Sequence, residues 1–312
     1  MDIQYLIFLQ DIRESLGDWS ATVAKIISAI PVSPLSILIM GILFWCVNKR
    51  AGLFLMFTAG FGELLNNLVK NTFCVYRPWI FEPDLQPVHE ALKKASSYSF
   101  PSGHTTMATA VYGGLAYFYR KKFPALIIPC VILILLVALS RNFLGVHTPQ
   151  DVLFAMLEIF LVIVFAEKIF DAMDLNQNFS RTAFTAGVIF CILATLYLVL
   201  KPYPEDFHDG KIIVESSQAI IDSFDKVGAF TGFLLGAFLE HKFINFKLNV
   251  SRKIKIRRII IGGIVCGAAM VLLFILKKSG IEILYEFGKG FLPFISVSFL
   301  APYTFNRVEK IR

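Results

Sequence analysis

Lys70 and Arg77 stand seven residues apart, about two helical turns, and Pro78 follows the second of them. The spacing puts both on nearly the same helix face, and because proline disfavours helix in the residue before it, the helix is predicted to end at Arg77 and to place two cations at the membrane surface. As an isolated fragment the pair reads also as a lysine reaching toward water and an arginine in a loop. A second group is Pro101-Ser102-Gly103-His104. Ser102 suits a helix N-cap, the free N–H groups behind it form an anion site with the helix dipole, and Gly103 lets a ligand approach the backbone. An ordinary helix start with an interfacial histidine fits the same residues. In the third group Ser140-Arg141 is followed by His147 after five residues and by Asp151 after three more. Thr148 can cap a helix there, with Pro149 at its first position and Asp151 at its third. Asp151 then either closes a capping box with Thr148 or holds a ring nitrogen of His147, as catalytic dyads require.

The elements that must position these groups are membrane helices. The chain has 312 residues and is 56% hydrophobic, with a mean hydropathy of +0.66. Several apolar runs reach the roughly 17–25 residues needed to cross about 30 Å of hydrocarbon, and in lipid they must be helical. The fold class expected is therefore all-α, a polytopic helical bundle. Nine spans are expected, near 26–47, 51–70, 103–120, 123–140, 151–170, 182–200, 222–240, 259–277 and 281–302. Lys49 and Arg50, then Arg120 to Lys122, then the stretch from Lys242 to Arg258 with seven Lys or Arg and no acid, mark cytoplasmic loops. The acidic N-terminus and the segment from Lys201 to Lys211 fall on the other side. Helix direction then brings Lys70, Arg77, Ser102, His104, Arg141, His147 and Asp151 to that same extracytoplasmic or lumenal side. Separate explanations for each group would require a coincidence of sidedness as well as of residue type.

Together, Lys-x6-Arg-Pro, Pro-Ser-Gly-His and Ser-Arg-x5-His-x3-Asp resemble the type 2 phosphatidic acid phosphatase (PAP2) superfamily, whose relatives include vanadium haloperoxidases. The resemblance covers residues 70–151. It implies a six-helix phosphatase core within residues 1–200 and additional transmembrane helices in 201–312. It implies further that Lys70, Arg77 and Arg141 hold phosphoryl oxygens with Ser102 and the Gly103 N–H. By the same resemblance His147 is the nucleophile, Asp151 fixes its tautomer and His104 protonates the leaving oxygen. Three fixed cations can stabilise the charge that develops on the equatorial oxygens, so neither a metal nor another cofactor is expected. The substrate implied is a phosphate monoester or diphosphate of a lipid or a small ester. Gly62-Glu63-x-x-Asn66-x-x-x-Lys70 is similar to glucose-6-phosphatase, which keeps a sugar phosphate as the alternative. A vanadate-dependent haloperoxidase and a non-catalytic lipid-binding or transport relative are alternatives from other classes.

The net charge of +7 does not point to nucleic acid, because the basic residues cluster between apolar runs and no base-stacking platform accompanies them. The five cysteines have no metal or disulfide spacing. Residues 1–20 read as an interfacial helix and the basic stretch 242–258 as a segment lying against anionic lipid. Glu63, Asn66, Asn67 and Lys70 share one helix face and are expected to bond neighbouring helices. The loop from Trp79 to Phe100, which includes Lys93 and Lys94, is a candidate lid over a headgroup. His89, His208 and His241 have no motif around them.

Overall fold

The computed structural model describes residues 2–92, 97–175, 177–208 and 210–310, so Lys93 and Lys94 of the expected lid lie outside the described residues. The chain is helical almost throughout. The helices are α1 (Asp2–Leu16), α2 (Asp18–Ala29), α3 (Pro34–Ile42), α4 (Lys49–Phe73), α5 (Pro78–Phe81), α6 (His89–Leu92), α7 (Gly103–Ala108), α8 (Gly114–Tyr119), α9 (Ile127–Phe143) and α10 (Pro149–Leu175), followed by α11 (Gln177–Leu200), α12 (Ser216–Leu239), α13 (Arg252–Lys278), α14 (Glu282–Ile295) and α15 (Ala301–Lys310). Two-residue strands, β1 (Phe207–His208) and β2 (Lys211–Ile212), pair antiparallel.

Among the described residues, seven helical stretches are long and apolar enough to cross a membrane: Asp18–Val47, Lys49–Phe81, Pro124–Phe143, Arg181–Leu200, Ser216–Ile244, Arg252–Lys278 and Glu282–Glu309. The two further regions expected to span are also helical. One is α7 and α8, of six residues each, joined by a five-residue π turn. The other is the 27-residue α10. Apolar side chains such as Ile128, Leu161, Ile192 and Ile264 are more than half exposed, which suits a lipid-facing surface.

The chain forms two compact units. The first comprises Met1–Ser33, Leu65–Ile163 and Lys201–Ile220. In it α2 and α7 pack on α9, and α1 packs on both α2 and α9. α1, expected as an interfacial helix, turns Leu6, Leu9, Gln10 and Arg13 inward as one buried face. Nη1 of Arg13 donates to Phe143 O at 2.8 Å and Nη2 to Gln86 O at 2.5 Å. Gln10 accepts from Gln86 N at 2.7 Å. The chain thus spends two polar side chains of α1 on backbone groups of the turns that flank the site.

The second unit comprises Pro34–Leu64, Val164–Leu200 and Ile221–Arg312. Here α12 and α14 approach backbone to backbone. Gly228, Gly232 and Gly236 recur every fourth residue of α12, and a Cβ on Gly232 would stand 2.5 Å from Phe291 O. Gly228 faces Phe287 O and Gly290 faces Asp225 O even more closely, so only glycine allows this spacing. Near the start of that seam Lys226 Nζ lies 3.0 Å from both Glu63 Oε2 and Asp225 Oδ2, and Lys289 pairs with Asp225 and Glu286. The expectation that Glu63 would bond a neighbouring helix is met by this cation. Arg258 departs from the lipid-facing reading of the basic stretch: it is 1% exposed and forms a two-pronged pair with Glu309, both bonds at 2.8 Å.

Candidate active site

The expected motifs lie in the first unit and converge on two connections, the extended segment 97–101 and the turn 144–148. The helix carrying Lys70 stops at Phe73, earlier than Pro78 alone requires, because Cys74 adopts a left-handed φ of 48°. Arg77 therefore stands in extended backbone just before α5 and does not share a helix face with Lys70. The two cations meet through a common partner instead. Lys70 Nζ donates to Tyr98 O at 3.0 Å, Ser99 O at 3.2 Å and Pro101 O at 2.6 Å, and Arg77 Nε donates to Ser97 O at 2.9 Å. Both side chains are buried and hold the segment that leads into Ser102. Tyr98 anchors that segment in an apolar cluster with Val214 and Ala219.

The turn after α9 is fixed by its own backbone and by Asn142, whose amide donates to His147 O at 2.8 Å. Leu144 and Val146 pack with Ala24 and Ala91 beneath it. His147 is 3% exposed. Its Nδ1 lies 3.2 Å from Asp151 Oδ2 and its Nε2 lies 3.1 Å from Arg77 Nη1. An arginine only donates, so Nε2 is the acceptor, and the ring proton sits on Nδ1 facing the carboxylate. Burial, and after it the positive charge of Arg77, hold the His147 pKa well below its ordinary value, so the imidazole is neutral at pH 7.

Both readings of Asp151 hold at once. Its Oδ2 accepts from Thr148 N at 2.9 Å while Asp151 N donates to Thr148 Oγ1 at 3.3 Å, which is the capping box. The same oxygen accepts from His147 and, at 2.5 Å, from the Ser99 hydroxyl. Ser99 was not singled out by sequence, although its place two residues before the Pro-Ser-Gly-His group was the available signal. Ser102 occupies the N-cap position of α7 but makes no side-chain cap bond. Its hydroxyl accepts from Thr105 Oγ1 at 3.1 Å, and its N–H donates to Asp151 O at 3.1 Å, tying the second motif to the third.

Gly103 and His104 form the first turn of α7, both half-buried, and a Cβ placed on Gly103 would meet nothing within 4 Å. The backbone there is open to a ligand. Arg141, 6% exposed, donates from Nη1 to Ser28 Oγ at 3.3 Å, while its buried Nε has no hydrogen-bond partner among the described residues. An arginine with a spare donor beside a neutral imidazole and a second guanidinium makes a setting for an oxyanion. On the polar face of α4, Asn66 reaches a neighbouring helix as expected, Nδ2 donating to Glu158 Oε2 of α10 at 3.2 Å, whereas Asn67 bonds within α4, accepting from Asn71 at 2.9 and 3.2 Å.

Comparison with known proteins gives this arrangement a lineage. Residues 51–173 match the PAP2 superfamily, and residues 224–311 match the transmembrane extension of PAP2 superfamily phosphatases. Phosphatidylglycerophosphatase B of Bacillus subtilis (strain 168) is 39% identical over 151 residues, which span 44% of this chain and 68% of the relative. The crystal structure of a transmembrane PAP2-type phosphatidylglycerolphosphate phosphatase from Bacillus subtilis is 34% identical, with a TM-score of 0.42 over 53% of this chain and 84% of that one. Matched across the very segments that carry its three motifs, the chain belongs to the PAP2 superfamily and is an integral-membrane phosphatase.

Proposed function

We propose that the protein releases phosphate from a phosphorylated lipid through a phospho-histidine formed at Nε2 of His147. The observation that carries this reading is the orientation of that ring, with Nδ1 on the Asp151 carboxylate and Nε2 facing Arg77. A lone pair, not a proton, is thereby directed to the side where a guanidinium favours anions. A phosphoryl group entering between Arg77 and His147 exchanges an N–H···N contact for a charge-assisted one. Arg77 and Arg141, with Ser102 and the Gly103 N–H, hold its oxygens. Lys70 acts through its charge and through the segment 98–101 that it clamps. In the first step Nε2 attacks phosphorus, the bond to the lipid oxygen breaks, and His104 gives that oxygen its proton. Water then attacks phosphorus, His104 takes the water's proton, the N–P bond breaks and inorganic phosphate leaves. The fixed cations take the part that metal ions play in other phosphoryl transfers, so the scheme uses no metal. The basic loops support an active site on the extracytoplasmic or lumenal face.

Phosphatidylglycerophosphate, for which the Bacillus relative is named, is the first substrate to test, against phosphatidic acid and glucose 6-phosphate. Detergent-purified protein is expected to release phosphate from the lipid and to yield an alkali-stable, acid-labile phospho-enzyme that His147→Ala lacks. His104→Ala should lose roughly 10²- to 10⁴-fold on a lipid phosphate and recover on a substrate with a good leaving group. Turnover retained in His147→Ala, or both variants responding alike to the leaving group, overturns the role assignment.

A further inference from the structure

In the second unit the side chains leave a cavity of about 590 Å³ among α4, α10, α11 and α12. Its cause is a mismatch of sizes. On one side Phe57, Phe61, Phe190, Phe230 and Phe233 hold one another in ring contacts of 5.3–6.4 Å, which fixes their positions. Facing them stand Ala183, Ala186 and Gly187 of α11 and Ala237 of α12, too small to fill the space. A second apolar hollow of about 380 Å³ runs on between α11 and α12, and Phe184 and Leu234 line both. From Thr182 to Leu196 the joined groove follows α11 for about 21 Å at 1.5 Å per residue, longer than half of a hydrocarbon core about 30 Å thick. Volume and lining fall within the range of small-molecule sites, about 300–1,000 Å³, and the walls offer water almost nothing to bond.

Charged groups and a histidine line one end only. There Lys49 Nζ pairs with buried Glu240 at 2.7 Å, which neutralises both, and His241 completes the rim. Lys242 lies 5.7 Å from the ring centre of Phe238, a wall residue, and has no acidic partner among the described residues. It opens the stretch to Arg258, which holds seven Lys or Arg and no acid. A surplus positive charge at the mouth of an apolar groove of this length complements one class of molecule in a bilayer.

We propose that this groove holds an acyl chain of an anionic phospholipid, with its headgroup at Lys242 and His241, as a site separate from the catalytic residues. The test is native mass spectrometry of the purified, delipidated full chain titrated with phosphatidylglycerol or with phosphatidylcholine, alongside phosphate release as a check of fold. One phosphatidylglycerol per chain is expected to be retained, with phosphatidylcholine weaker. Ala237→Trp should abolish retention while leaving phosphate release in place. Lys242→Gln should weaken phosphatidylglycerol binding about fivefold and leave phosphatidylcholine unchanged. No adduct in the wild type, equal retention in Ala237→Trp, or a chain dimer that binds no lipid overturns the site. Should Ala237→Trp fail to fold, an unchanged phosphatidylglycerol affinity in Lys242→Gln overturns the assignment of the headgroup and with it the proposal.

Discussion

Asp151→Asn separates the two tasks that one carboxylate oxygen performs. In the wild type Oδ2 accepts three bonds, from His147 Nδ1 at 3.2 Å, Thr148 N at 2.9 Å and Ser99 Oγ at 2.5 Å. With the amide oxygen of Asn in that place, all three survive as neutral bonds. Each charge-assisted bond contributes about 1.5–3 kcal/mol and each neutral one about 0.5–1.5, so folding stability falls by roughly 3–4.5 kcal/mol. The kinetic effect is larger in kind, because the imidazole becomes cationic as Nε2 bonds to phosphorus. A unit charge pair at 3.2 Å is worth about 5 kcal/mol at an effective dielectric of about 20, and the Asn dipole keeps only part of it. A net loss of about 3–4 kcal/mol lowers kcat roughly 10²- to 10³-fold. The assay is initial-rate phosphate release in detergent, paired with thermal unfolding of the same samples. Thr148→Ala serves as the comparison, since it removes the cap alone and should cost about 1 kcal/mol of stability with kcat nearly unchanged. If Asp151→Asn kept kcat within about twofold of wild type while its stability dropped as Thr148→Ala does, the carboxylate would be a cap and nothing more.

Other outcomes follow from the same geometry. Because burial and Arg77 depress the His147 pKa, attack by the neutral ring should persist well below pH 6.5, and the acid limb of kcat/KM should lie there. Arg77→Gln removes a positive neighbour and should move that limb upward as it lowers kcat, whereas a wild-type limb at or above pH 6.5 contradicts the assignment. Linkage has the matching sign: the unfolded ring binds its proton first, so this group's contribution to stability is complete above pH 6.5 and declines as pH falls toward the folded pKa. Gly232→Ala places a methyl 2.5 Å from the Phe291 carbonyl and should lower the unfolding temperature, while Gly263→Ala, with nothing within 4 Å, should not; equal effects would show that α12 and α14 are not in backbone contact. Lys226→Met strands Glu63 without its cation, leaves Asp225 with Lys289 alone, and should destabilise by about 3 kcal/mol, with part regained in Lys226→Met/Glu63→Gln. Additive losses in a thermal-unfolding cycle would refute that coupling.

Much of this was legible in the residues themselves. Long apolar runs dictate helices in a bilayer whatever their neighbours are, so the all-α membrane class follows from composition and order. The three motifs were legible because phosphoryl chemistry needs cations, an imidazole and a carboxylate at set intervals from helix ends. Thr148, Pro149 and Asp151 announce a helix start by local rules alone, and the start is where they put it. One feature was readable but passed over: Gly228, Gly232 and Gly236 have the spacing of close-packed membrane helices.

What the tertiary structure alone decided is which partner each polar group takes. Periodicity placed Lys70 and Arg77 on nearly one helix face, but a single left-handed residue, Cys74, ends the helix early and the two cations meet by gripping the same segment, residues 97–101. Gln10 and Arg13 lie more than 70 residues from the turns they hold, and Ser99 is 52 residues from Asp151. Arg258 looks in sequence like any cation of a basic loop and is instead buried on Glu309. The physical reason is common to all of them. Local rules specify backbone shape because their forces act within a turn or two, whereas a buried donor bonds whatever acceptor packing brings within 3 Å, and no interval along the chain encodes that distance.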